Sequence, residues 1–252
     1  MLCDMSTSPE RAAFYLACLR ADSARFAEVA RLGLPAKVPN CPDWTVEDVV
    51  LHLATVYLHK IEILRLNALP DPWPPEFGDR DPLEVYDEHR ERIIPALEAA
   101  GTDQETWTFS PTDKTSAFWY RRMALETAVH RIDVEQAHDV VTPIDNDLAV
   151  DGIDEVLTLM LGGPWWEEGD TKHPVDATIR ITTDGRSWTI RLDATSAIVT
   201  QGAEGSVDAE VFGDPNEIYL WLWGRGELDL EQAAGDDAAV QEFRSRLAEA
   251  LT

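Results

Sequence analysis

The hydrophobic period of this 252-residue chain changes after Pro164. Up to Leu161 apolar residues recur every three to four positions, and from Ala177 they alternate with polar ones. A helix repeats every 3.6 residues and a strand every two, so the two stretches cannot form the same kind of layer. The expected fold class is α+β: an N-terminal helical bundle over residues 1–145 and a smaller C-terminal α+β domain over 146–252. The change of pattern lies between 143 and 165, and 44% hydrophobic residues suffice to give each part a core.

Punctuation within the first part predicts four helices. Ser8 and Pro9 read as an N-cap with proline at the first helical position, and Gly33 reads as a stop. Thr45 with Asp48 forms a capping-box pattern, and Trp44 is placed to staple onto Val49, opening a helix that runs to Asn67. Asp81 and Pro82 open the third helix, with Glu84 at the capping-box position, Pro95 as a candidate kink and Gly101 as the stop. The fourth begins near Thr115 or Ser116, passes Glu126 and His130, and ends by the Val140–Pro143 stretch. Four helices joined by short to moderate loops point to a bundle.

A further helix over Asp147–Leu161 is closed by Gly162, Gly163 and Pro164. Alternating runs at Ala177–Thr183 and Ser187–Asp193 flank Asp184-Gly185, a strong hairpin signal. A third strand is expected at Val207–Phe212. A short helix after Asp214-Pro215 and a terminal helix capped by Asp236 or Asp237, ending near Leu251, complete the prediction.

Charge and cysteine usage exclude several classes. The net charge is −26, from 47 acidic and 21 basic residues. Such a surface repels phosphate backbones and anionic membranes, so no nucleic-acid or membrane partner is expected. The three cysteines, Cys3, Cys18 and Cys41, form no Cys-x-x-Cys pair. A disulfide framework or thiolate zinc cluster is thus not indicated, and a reducing cytoplasm fits. Cys41 reads as a small packed residue rather than a nucleophile. Asp4, Glu10, Arg11 and Arg20 interrupt any apolar leader, so a signal peptide is not expected.

Glu126 and His130 stand four apart on the fourth helix, which puts both on one face. Alone, that spacing more often marks a solvated hydrogen-bonded pair than a metal site. His52 adds information because it shares the stripe of Val49, Val56 and Ile63, which should face the bundle interior. A buried imidazole needs a polar partner. Two imidazoles and a carboxylate inside a bundle suit a divalent ion with an open coordination position. Arg122 and Asp133, one turn before Glu126 and one turn beyond His130, are placed either to orient a ligand or substrate, which makes Arg122 a catalytic candidate, or to be solvated helix charges. His59 reads as a rim residue, and His89, His138 and His173 have no comparable context. No glycine-rich phosphate loop, Gly-x-Ser-x-Gly elbow or His-Glu-x-x-His helix is present.

Taken together, Cys41-Pro42-Asp43-Trp44-Thr45 leading to His52, and the run Arg121-Arg122-Met123-Ala124-Leu125-Glu126 continuing to His130 and Glu135, resemble the mycothiol-dependent maleylpyruvate isomerase family. The resemblance covers nearly the whole chain. It implies a DinB-like four-helix metal-binding domain joined to a sterol-carrier-like α+β domain. It also implies that His52, Glu126 and His130 hold a divalent metal, usually zinc, with mycothiol as co-substrate. The segment Leu222-Trp223-Gly224-Arg225 is similar to one whose arginine reaches the active site in that family, and the resemblance implies a catalytic role for Arg225. A guanidinium forks onto a carboxylate, so Arg225 suits an anionic substrate group.

The expected activity is thiol activation for cis-trans isomerisation of a small electrophile or for S-transfer to it. The sequence leaves open a zinc hydrolase using metal-bound water. It also leaves open a non-catalytic protein whose second domain binds an apolar ligand beside Trp221 and Trp223. It leaves the oligomeric state open too.

Overall fold

A computed structural model describes residues 7–167, 171–229 and 232–251, so Cys3 and Asp4 lie outside the described residues. The chain divides into two compact units, Met1–Thr142 and Pro143–Thr252.

In the first unit, α1 (Pro9–Ala30) starts where the Ser8 hydroxyl accepts from the Arg11 amide at 3.2 Å. It ends at Ala30, short of Gly33, which lies in the loop beyond. α2 (Val46–Leu66) has a complete capping box, the Thr45 hydroxyl accepting from the Asp48 amide and the Asp48 carboxylate from the Thr45 amide. Asn67, left-handed at φ 54°, closes it. α3 (Pro82–Ala100) is capped by Asp81, runs through Pro95 and ends at Gly101 with φ 66°. α4 (Ala117–Ala137) has no side-chain cap: the Ser116 hydroxyl donates instead to the Gly101 carbonyl at 2.6 Å, tying the start of α4 to the end of α3.

α1 packs along α4, α2 along α3, and α2 also along α4. α4 is the central helix, covered on nearly every side. Its charges are therefore buried rather than solvated: Arg122 is 5% exposed, Arg131 2%, Asp133 1% and Glu135 0%. Buried charges survive only when paired. Arg131 meets Asp22 at 2.9 Å and Glu135 at 2.8 Å, and Arg25 reaches Glu135 at 2.8 Å. The pairs made by Asp22 and Arg25 bind α1 to α4.

In the second unit, Asp145 caps α5 (Asn146–Glu155), whose path continues as a π-helical stretch over Val156–Leu161. The sheet has the order β3-β2-β1-β4-β5, built from β1 (Ala177–Thr183), β2 (Arg186–Leu192), β3 (Ala197–Gln201), β4 (Ala209–Phe212) and β5 (Ala233–Gly235). β1 and β2 form the expected hairpin, with Asp184 at φ 43° and Gly185 at φ 71°. Positive φ at both central residues gives the turn a twist that matches the strands. β1 pairs parallel with β4, and the other pairings are antiparallel. The edge strands β3 and β5 are additions to the sequence expectation. α6 (Pro215–Leu222) and α7 (Asp237–Ala250) start at the expected aspartates, Asp214 and Asp236. α7 packs on β1 and β4, so Phe243 is buried in the same core as Ile179 and Val211. Among the described residues no helix is long and apolar enough to cross a membrane.

Candidate metal centre

Helices α2 and α4 bring together three of the residues singled out from the sequence. His52 Nε2 and His130 Nε2 each lie 3.3 Å from the same carboxylate oxygen, Glu126 Oε1. The three donor atoms all fall within 4.8 Å of one another. Tetrahedral zinc at about 2.1 Å from each ligand would separate its ligand atoms by about 3.4 Å, so the donor set has the spacing and chemistry of a three-ligand divalent site. The two imidazole rings meet edge to face, with centroids 4.7 Å apart and planes at 68°. Trp44, from the loop before α2, lies 5.2 Å from the His52 ring.

Arg122 and Asp133 hold two of these side chains in place. Arg122 Nη2 donates to Glu126 Oε2, the oxygen that does not face the histidines. His130 Nδ1 lies 2.9 Å from Asp133 Oδ2. With Nδ1 committed to Asp133, Nε2 is the nitrogen aimed at Glu126 Oε1: it donates there when protonated, and it would offer its lone pair to an ion when neutral.

The electrostatics follow from burial and pairing. Burial pushes the Glu126 carboxyl up, but the Arg122 charge and the hydrogen bonds from His130 and His52 outweigh it and hold it well below the usual carboxylate range. Burial pushes His130 down, whereas its bonds to Asp133 and Glu126 raise it, to about 9 without a metal. The side chain of His130 is 12% exposed and that of His52 35%, so the solvent-facing side of the group is the His52 side.

The other histidines lie apart from this group. His59 stacks on Trp73 with centroids 4.6 Å apart, and burial lowers its pKa to about 4. His89 is buried near Phe77, His138 caps the end of α4, and His173 pairs with Glu242 in the second unit. Arg225 follows α6 in the second unit, in a turn where Gly224 has φ 73°. Its Nη1 donates to the Trp223 carbonyl at 2.7 Å.

Lys60 stands out only in the structure. It stands eight residues beyond His52 on α2, about 12 Å along the axis and turned by about 80°, with its ammonium 4.7 Å from the Trp119 ring of α4. Its ammonium is close enough to Glu126 and Arg122 for both charges to affect it.

No curated protein matches the chain. Among solved structures, the crystal structure of the mycothiol-dependent maleylpyruvate isomerase aligns with 85% of this chain and 90% of its own, at 13% identity and a TM-score of 0.59. A histidine-to-alanine variant of that isomerase aligns over the same shares at 12% identity and a TM-score of 0.59. At such identities the likeness speaks for the fold. Two family models match in sequence: the mycothiol maleylpyruvate isomerase N-terminal domain over residues 16–135, and the C-terminal domain of the same family over 147–242. With both domains matched in order across most of its length, the chain belongs to the mycothiol-dependent maleylpyruvate isomerase family.

Proposed function

We propose that the chain is a metal-dependent enzyme in which His52, Glu126 and His130 hold a divalent ion and a low-molecular-weight thiol, mycothiol by family membership, attacks a small electrophile. The observation that carries this reading is the convergence of both Nε2 atoms on Glu126 Oε1 at 3.3 Å. A free thiol titrates near ~8.5, and a divalent ion, for which zinc is the first choice, supplies the charge that holds a coordinated thiol as thiolate at neutral pH.

The protein's own groups prepare that chemistry. Arg122 occupies Glu126 Oε2 and leaves Oε1 turned toward the histidines. Asp133 fixes the tautomer and orientation of His130. The 35% exposure of the His52 side chain leaves one side of the group open to a thiol and its partner. Arg225 holds a negative group of the electrophile, a role proposed from the family resemblance and from the fork geometry of guanidinium.

The thiolate sulfur forms a bond to one carbon of a C=C conjugated to a carbonyl, and the π pair moves onto the carbonyl oxygen as an enolate, leaving a single bond between the two carbons. If the adduct rotates about the former double bond and then expels the thiol, the product is a geometric isomer and the thiol is regenerated. If another group departs instead, the product is a thioether and the reaction is S-transfer. Both outcomes use the same residues.

The reading of the second unit as a carrier for an apolar ligand has less support. Trp221, proposed to line such a pocket, is 6% exposed and stacks on Phe243 with ring centroids 5.9 Å apart. A cavity of about 380 Å³ beside it is also bordered by Glu227, Asp229, Asp237 and Arg244. Four ionisable groups make that a poor container for a purely apolar molecule.

The test is elemental analysis of the purified protein beside His52→Ala and Glu126→Ala, with turnover of maleylpyruvate measured with and without mycothiol. We expect one metal per chain in the parent and marked loss in both variants. Stoichiometric metal in both would sink the site, and equal turnover without any thiol would favour a hydrolase using metal-bound water.

A further inference from the structure

The ammonium of Lys60 is a charge that the metal site leaves unused. Its Nζ lies 4.7 Å from the ring centroid of Trp119 and 2.8 Å from His59 Nδ1. Among the described residues no carboxylate stands within ion-pair distance of it, in a chain with 47 acidic and 21 basic residues. Neither contact neutralises a cation. Trp119 offers only the negative face of a ring, and His59, stacked on Trp73, offers one nitrogen lone pair.

The nearest carboxylate of the site is already committed. Glu126 takes Arg122 on one oxygen and faces both imidazoles with the other. Trp119 stands seven residues before Glu126 on α4, two turns back along the same face, so the Lys60 ammonium over its ring lies on the Glu126 side of α4, about 10 Å along the helix from a group whose negative charge is matched. Burial pushes the Lys60 pKa down to about 8, with Glu126 opposing that shift and Arg122 adding to it. A lysine kept half-buried without an internal counter-ion is costly to stability unless something supplies the missing charge.

We infer that Lys60 is a substrate-anchoring residue of the metal site, receiving a carboxylate of the small electrophile on its ammonium. This rests on the proposed function and adds a residue to it: recognition of the electrophile's carboxylate begins within the first unit, on the same helix as His52. The role is distinct from that of Arg225, which belongs to the second unit.

The test uses the full-length protein and two non-reacting planar probes, maleate, which is anionic, and maleamide, which is neutral. Acetylation of Lys60 by sulfosuccinimidyl acetate is followed by peptide mass spectrometry. Maleate at about four times its Kd is expected to slow Lys60 acetylation about fivefold, as mass action requires, while maleamide leaves it unchanged. Calorimetry should show maleate binding lost in Lys60→Met and retained in Lys60→Arg, with metal content unchanged in both.

Equal acetylation with maleate, with maleamide and with neither would overturn the assignment, as would unaltered maleate affinity in Lys60→Met. If Lys60→Met fails to fold, the protection measured on the parent protein decides. None of these readouts needs a thiol or turnover. A parent that lacks metal but shows maleate protection refutes the thiol reading and keeps Lys60 as a carboxylate site. A parent that turns over with mycothiol but shows no protection does the reverse.

Discussion

Asp133 lies one turn beyond His130 on α4, and its carboxylate meets the histidine's Nδ1 at 2.9 Å while remaining 1% exposed. A buried acid in that position fixes which ring nitrogen faces Glu126 and His52. Partners of this kind typically contribute about 10–100-fold in metal affinity. Asp133→Asn should therefore weaken metal binding by about that factor while the helical signal is kept. Competition with a chromogenic chelator measures it, and affinity within about twofold of the parent would show that the tautomer is set elsewhere.

Without metal, His130 should make stability depend on pH. Its folded pKa, about 9, lies above the ordinary 6.5, because the bonds to Asp133 and Glu126 outweigh burial. The folded state thus holds a proton that the unfolded chain releases, so this stabilisation is full below about 6.5 and fades as pH rises through about 9. Urea melts of the chelator-treated protein should show stability declining across that window, and His130→Gln should flatten the decline. With metal bound the trend should reverse, since the ligand form of imidazole is neutral.

Arg122 neutralises Glu126 within the helix bundle, with the arginine 5% exposed. Removing one partner of a buried pair leaves an uncompensated charge, typically costing about 3–5 kcal/mol. Arg122→Met should lower the denaturation midpoint of the metal-free protein accordingly, and adding metal should restore part of the loss. The double variant Arg122→Met/Glu126→Gln should recover stability without metal. If it is no more stable than Arg122→Met, the cost lies in packing rather than charge.

Gly235 in β5 has φ 100°, and a Cβ there would sit 2.3 Å from the Asp208 carbonyl oxygen. Neither the angle nor the clash can be relieved by a side-chain rotation. Gly235→Ala should cost more than about 1–3 kcal/mol, the usual strain of a forbidden backbone angle, because β5 must also move off β4. Gly185→Ala, at φ 71° with open space around it, should cost less. Thermal melts of the two variants test the order.

The helix starts were legible because capping is local. Ser8, Thr45 with Asp48, Asp81, Asp214 and Asp236 each bond to an amide within three residues, and the structure keeps every one. The Asp184-Gly185 turn was legible for the same reason. β3 and β5 were not. Ala233-Ala234-Gly235 has almost no strand propensity and is a strand only because it pairs with β4. The charges of α4 were ambiguous in sequence, since the spacing of Arg122, Asp133 and Glu135 is the same on a solvated helix as on a central one. Burial by α1 and α2 resolved them.

By itself the sequence determined the candidate donor types, the helical spacing that puts Glu126 and His130 on one face, and the two-part organisation, because each depends on residue identity, periodicity or contacts within a turn. Only the tertiary structure decided that His52, 74 positions from Glu126, points at the same oxygen, and that Lys60 has no carboxylate beside it among the described residues. Those facts depend on how α2 packs against α4. Packing is fixed by contacts distant in sequence, which no local pattern encodes.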